Sequence, residues 1–344
     1  MTNMIPISGE PSPTQSDDAT EEAETKAKQS AGQSQGRLIF RRFVTNPIAM
    51  VSLALFAFVV IFAVSAVGLG PIPGWWQYNW RQLLPIQDGG RATLSLIPEW
   101  LGGNGIQLGE HPFGQNRTGK DYFAMTMRGI INSVVIMFLI GLMSSFIGVV
   151  IGAIAGYYRG VVDAILMRIT DIFIVIPVIV LGAVVGNATG ALGPVLLGIF
   201  LGFFVWTGIA RLVRAEFLSL REREFVEAAR VAGASDARII FKHILPNAMG
   251  VVIVSSTLLI AAAMVLETSL SFLGYGVRSP DVSLGLLISE NQSAFATRPW
   301  LYWYPAVFIV SLALLVNFVG DGLRDAFDPR QKRVRRNKVK EMSS

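Results

Sequence analysis

Residues 129–158 read GIINSVVIMFLIGLMSSFIGVVIGAIAGYY, thirty positions without an Asp, Glu, Lys or Arg. About 20 apolar residues in a helix suffice to cross a bilayer. Only a helix or a closed barrel pairs every backbone group there. The run is continuous Val, Ile, Leu, Phe, Ala and Gly, not alternating apolar and polar, so it predicts helix and speaks against a barrel strand. Four more charge-free windows flank it, at 43–80, 172–210, 243–266 and 299–320. The window 172–210 is long enough for two helices, with Asn187-Ala-Thr-Gly190 reading as a turn between them. The expectation is an all-α integral membrane protein with six transmembrane helices, near 47–69, 132–156, 171–187, 191–210, 248–272 and 302–322.

Composition agrees with this reading. The 344-residue chain is 52% hydrophobic but only 15% charged, against about 25% charged for an average soluble domain. Its mean hydropathy is +0.51. With no Cys, disulfides, thiolate metal sites and cysteine nucleophiles are excluded. The two His residues, His111 and His243, lie far apart, which argues against a His-rich metal site or a His-based triad.

Basic residues set the orientation. With the N-terminus inside, the inner segments hold 22 of the 29 Lys and Arg, and six spans return the C-terminus to the same side. Residues 1–36 are rich in Ser, Gln, Glu, Asp and Pro and read as a disordered cytoplasmic tail, too polar for a cleavable signal. Residues 37–70 then hold the first transmembrane helix, 71–128 an extracytoplasmic segment and 129–323 the main membrane domain. Residues 324–344 form a basic cytoplasmic tail, read as a topology determinant near anionic lipid in preference to a nucleic-acid site.

One motif is a decoy. Gly114-Gln-Asn-Arg-Thr-Gly-Lys120 matches the opening of a phosphate-binding loop, yet Asp121 stands where Ser or Thr should hold Mg²⁺, and no strand precedes it. Any ATP would have to be hydrolysed by another subunit.

The inner loop 211–246, between spans four and five, is more informative. Glu222 to Ala232 consists of good helix formers, with Phe225, Ala228, Ala229 and Ala232 on one face. Gly233 stops that helix. Ser235 and Asp236 can cap a second, Asp236 to Leu245, and Pro246 marks the turn into span five. The Ala-rich face admits close approach, either to the chain's own membrane domain or to a cleft in a partner. Elsewhere, Arg168 and Asp171 share a helical face and are expected to pair. Glu267 is expected either at interfacial water or on a translocation path. Ser144, Ser145, Ser255, Ser256 and Thr257 either line a polar pathway or bond to carbonyls one turn back. Trp75, Trp76, Trp80 and Trp100 read as an interfacial belt on a folded outer loop, or as a docking surface.

Glu227-Ala228-Ala229, Gly233 and Leu245-Pro246 together resemble the EAA motif of ABC importer permeases. Further stretches resemble the peptide-importer branch of that family: His111 to Asp121, Gly156-Tyr-Tyr-Arg-Gly160 with Asp163, Arg168 and Asp171, Ser271 to Gly276, and Asn317 to Asp325 with Asp328-Pro-Arg330. The resemblance covers roughly residues 37–330 and is nearest to the C-type permease subunit of dipeptide and oligopeptide importers. It implies a type I ABC importer permease fold in a bacterial cytoplasmic membrane, without catalysis or cofactor in this chain. It also implies four kinds of partner: a homologous second permease, two ATP-binding subunits that carry ATP and Mg, an extracytoplasmic substrate-binding protein and the lipid bilayer. The 222–236 helix would then be the coupling helix, and alternating access would follow ATP-driven motion of its seat. Two other readings stay open. One is the same scaffold serving another solute, such as a metal chelate or glutathione. The other is an ion-driven secondary carrier or an intramembrane enzyme.

Overall fold

The computed structural model describes residues 35–95, 99–101, 105, 107–189 and 192–327. Of the expected tails 1–36 and 324–344, residues 35–36 and 324–327 are helical, while 1–34 and 328–344, with Asp328-Pro-Arg330, and the Gly190 end of the expected turn lie outside the described residues.

An amphipathic helix α1 (Gln35–Val44) leads into α2 (Pro47–Val67). Asn46 caps α2 by accepting from the Ala49 N–H at 3.3 Å, and Pro47 occupies the first turn, where no N–H is needed. A two-residue hairpin, β1 (Gly68–Leu69) with β2 (Ile72–Pro73), opens the long connection that follows. Then come α3 (Tyr122–Tyr158), α4 (Gly160–Val175), α5 (Val178–Thr189), α6 (Pro194–Phe204), α7 (Thr207–Arg221) and α8 (Glu224–Val231). The last long helices are α9 (Asp236–Phe272) and α11 (Trp300–Phe327), with the short α10 (Leu284–Asn291) between them.

Four of these, α2, α3, α9 and α11, are unbroken and apolar enough to cross a membrane. The pairs α4–α5 and α6–α7 bring the number to six if each bent pair is one span, and they bend by 81° and 47°. Counted that way, the described residues hold up to six apolar spans, and several expected boundaries move. Span two begins at Tyr122, ten residues before the expected start, because Asp121 caps it through the Ala124 N–H at 2.8 Å and Arg128 is accommodated beside Asp281 at 3.2 Å. The last residues assigned to the outer segment thus belong to α3. Asn187 to Thr189 stay helical instead of turning. Spans three and four are broken by Ile176-Pro177 and Val205-Trp206. Hydropathy alone does not register a bend.

Helix α3 is the axis of the fold. Its glycines let neighbours approach closely: a Cβ at Gly152 would lie 2.4 Å from the Ala210 carbonyl oxygen of α7, and one at Gly198 of α6 would lie 2.9 Å from Leu139. Two apolar cores result among the described residues. The larger is built around α3, α9, α10 and α11, with Tyr122, Met125, Ile136, Ile140, Met264 and Leu301 among its members. The smaller lies at the other end of α3, where Tyr157, Phe217, Val226, Ile239 and Ile244 meet.

Helix α9 has no joint at Pro246. Residues Ile239–Ile244 form a π-helical stretch, and the Leu245 N–H bonds to the Ile240 carbonyl, five residues back. Proline lacks an N–H and its ring clashes with the carbonyl four residues back. A π register absorbs that misfit within a continuous helix.

Candidate coupling surface

Helix α8 begins at Glu224, not Glu222, which caps the end of α7. Its C-terminus is a Schellman motif. Gly233 takes φ +77°, its N–H bonds to the Arg230 carbonyl at 3.0 Å, and the Ala234 N–H bonds to the Ala229 carbonyl at 3.0 Å. A side chain at that φ is strained, so glycine sets where the helix stops. The helix is seated by Val226, fully buried in the smaller core, and by Ala229 at its edge. Phe225, Ala228 and Ala232 of the expected apolar face point outward, as does Val231, which is 82% exposed. Glu227 is exposed and pairs with Arg230 at 3.1 Å.

The expected site residues divide. Ala229 and Leu245 pack on the same smaller core. Glu227, Ala228 and Gly233 face out from α8. Pro246 opens instead onto a cleft of about 870 Å³ between α1, α7, α9 and α11, which Arg42, Glu216, Ser255 and Arg324 also line.

Residues outside the expected site set hold this surface in place. The Tyr157 hydroxyl donates to Asp236 Oδ1 at 2.7 Å, Arg221 donates to the Tyr157 carbonyl, and its guanidinium lies 5.6 Å from the Tyr157 ring centre. Arg159, at φ +58°, pairs with Glu222 at 2.6 Å. Arg214 Nη2 reaches Asp163 Oδ2 at 2.6 Å. Asp171 pairs with Arg211 at 2.6 Å, not with Arg168 as expected. Helix α7 lies alongside α4, so a partner on the neighbouring helix competes with one on the same helix. The Tyr157-Tyr158 pair at the end of an apolar run was the signal available in the sequence.

The far end of α3 carries a second polar assembly. His111 Nδ1 lies 2.7 Å from Asp121 Oδ1, both groups buried, and Asp121 Oδ2 accepts from Trp76 Nε1 at 2.9 Å. The Tyr78 ring stacks on His111 with centres 4.9 Å apart, and its hydroxyl donates to Glu110 Oε1 at 2.5 Å. That bond, with some burial, pushes the Tyr78 hydroxyl up to about 12, and the same bond draws the Glu110 carboxyl below its usual range. Trp76 and Trp80 pack on the larger core, while Trp75 and Trp100 are exposed. The phosphate-loop decoy closes on itself: Asn116 Oδ1 accepts from the Thr118 and Lys120 N–H groups at 3.0 and 2.9 Å. Those amides are spent within the turn.

Glu267 lies neither at interfacial water nor on an open path. It is fully buried, accepting from Ser271 at 2.6 Å and Ser133 at 3.1 Å, and Ser271 contacts Ser283 at 3.1 Å. Three hydroxyls supplied by α3, α9 and the cap of α10 make burial of that carboxyl tolerable. Ser145 and Thr257 bond to carbonyls one turn back, and Ser144 donates across to the Gly202 carbonyl of α6 at 2.8 Å. Among the described residues, no group of three or more His, Asp or Glu side chains could hold a metal ion.

Residues 148–333 match the family described as binding-protein-dependent transport system inner membrane component. The oligopeptide transport system permease protein OppC of Mycobacterium tuberculosis (strain ATCC 25618 / H37Rv) is 38% identical over 305 residues, 88% of this chain and 97% of that protein. The protein of the same name from Haemophilus influenzae is 34% identical over 308 residues, 87% of this chain and 91% of that protein. A solved structure of the MetNI methionine ABC transporter, in an inward-facing conformation, aligns with a TM-score of 0.49 at 21% identity, covering 59% of this chain and 97% of that one.

Proposed function

This chain belongs to the binding-protein-dependent transport system inner membrane components, and from that premise we propose that it is the membrane-spanning subunit of an ATP-driven importer of peptides. Peptide is favoured as solute because the relatives compared over most of their length are named oligopeptide permeases. The chain itself would be non-catalytic. ATP and Mg would reside on two partner subunits, a second, homologous permease would complete the membrane part, and an external binding protein would deliver the solute. The N- and C-termini and helix α8 would face the cytoplasm of a bacterium.

Helix α8 would couple the parts. The observation that carries this is its geometry: a short rod with its Ala228 and Ala232 face exposed, held from behind by Val226 and stopped by Gly233. A rod fixed on one side transmits displacement, whereas a loose loop would absorb it. ATP-driven closure of the partners would push α8, and Tyr157, Arg221 and Asp236 would pass the motion to α3 and α9, giving alternating access.

The test is uptake and ATP hydrolysis in vesicles holding the whole assembly. Glu227→Lys and Gly233→Val should each lower uptake on the order of tenfold, as expected for about 1.4 kcal/mol of lost docking, while hydrolysis becomes independent of the binding protein. Unchanged uptake in both variants would overturn the assignment of α8.

A further inference from the structure

Spans three and four are both broken, but only one break is covered by this chain. At the second, Trp206 is 3% exposed. Its carbonyl is pressed against α3, where a Cβ at Gly148 would lie 2.9 Å away, and the Phe173 ring stands 5.5 Å from the Trp206 ring. At the first break, Ile176 takes the extended conformation required before Pro177, and the chain turns by 81°. Every residue from 174 to 180 is exposed, with Val175 at 78% and Val180 at 57%.

Three environments are open to such a stretch, and two fail on physical grounds. A broken helix leaves the last carbonyls of α4 and the first N–H groups of α5 without partners inside either helix. Lipid offers them none, and lipid-exposed irregular backbone does not occur within the hydrocarbon layer. Water would satisfy the backbone, but residues 174–180 are Ile, Val and Pro throughout, and an aqueous wall of that composition would leave a continuous apolar surface wetted. A protein neighbour at membrane depth meets both demands, because it can cover the apolar side chains and place a polar group against the break. The contrast is α2, whose apolar residues such as Phe58 are equally exposed but whose helix is unbroken, so lipid serves it well.

We propose that residues 174–180, centred on Pro177, are the contact through which this chain packs against a second membrane-spanning subunit, which contributes a hydrogen-bonding group to the broken backbone. The proposal rests on the reading of the chain as one of two permease subunits.

The experiment uses the assembled transporter purified from its own membrane, with a benzophenone amino acid placed in turn at Val175, Val180 and, as control, Phe58. The first readout is whether the assembly holds a second membrane polypeptide; if it does not, the functional reading itself fails. If it does, irradiation should join that polypeptide to positions 175 and 180 several-fold more than to position 58. Lipid adducts alone at 175 and 180 would overturn the contact. So would labelling of Val175→Cys and Val180→Cys by a water-soluble, membrane-impermeant maleimide in the intact assembly, a clean assay because the chain has no native cysteine.

Discussion

Glu267 shows how one residue's role depends on neighbours that the sequence does not reveal. In the linear chain it is an acid interrupting an apolar span. In the fold it is the centre of a cluster in which Ser133, Ser271 and Ser283 join three helices. Glu267→Gln keeps an acceptor and adds a donor, so it should leave thermal stability in detergent close to wild type. Glu267→Leu removes the acceptor and orphans buried hydroxyls, and should cost about 1–3 kcal/mol, read as a clear drop in unfolding temperature. Equal losses in the two variants would show that the serine cluster does not recognise the carboxyl's hydrogen-bonding capacity. The serines were visible in the sequence, but their convergence on one carboxyl was not, because positions 133, 267 and 283 are far apart along the chain.

Among the helices, the apolar runs were legible and their breaks and pairings were not. Pro177 and Pro246 look alike in sequence, each inside an apolar stretch, yet one bends a span and the other is absorbed by a π-helical turn. The difference lies in the backbone before each: Ile176 is extended, whereas Ile239–Ile244 is π-helical. Likewise α4 and α7 are joined by Asp163 with Arg214 and Asp171 with Arg211, whereas spacing along one helix pointed to Arg168 with Asp171. A double-mutant cycle on Asp163→Asn and Arg214→Gln should give a coupling energy of about 0.2–1 kcal/mol, the scale of partly exposed pairs, from unfolding midpoints in detergent. Additive losses would show that the two charges act independently.

For the whole molecule, topology is the quantity to test. With native cysteine absent, Val231→Cys on α8 should react with a membrane-impermeant maleimide only in inside-out vesicles, and Trp100→Cys only in right-side-out vesicles. Labelling of both on the same side would refute the orientation drawn from the basic residues. The chain by itself determined that it crosses a membrane as helices, roughly where it does so, and that Gly233 ends a short helix of good formers. Those properties are set by local apolar content and by one residue's backbone freedom. Only the tertiary structure decided that Val226 and Ala229, and not Ala228 or Ala232, seat that helix, that Tyr157 ties α3 to the start of α9, that Glu267 sits among serines, and that one of two broken spans is left uncovered. Each of these is a contact between residues distant in the chain, and such contacts exist only once the helices have packed.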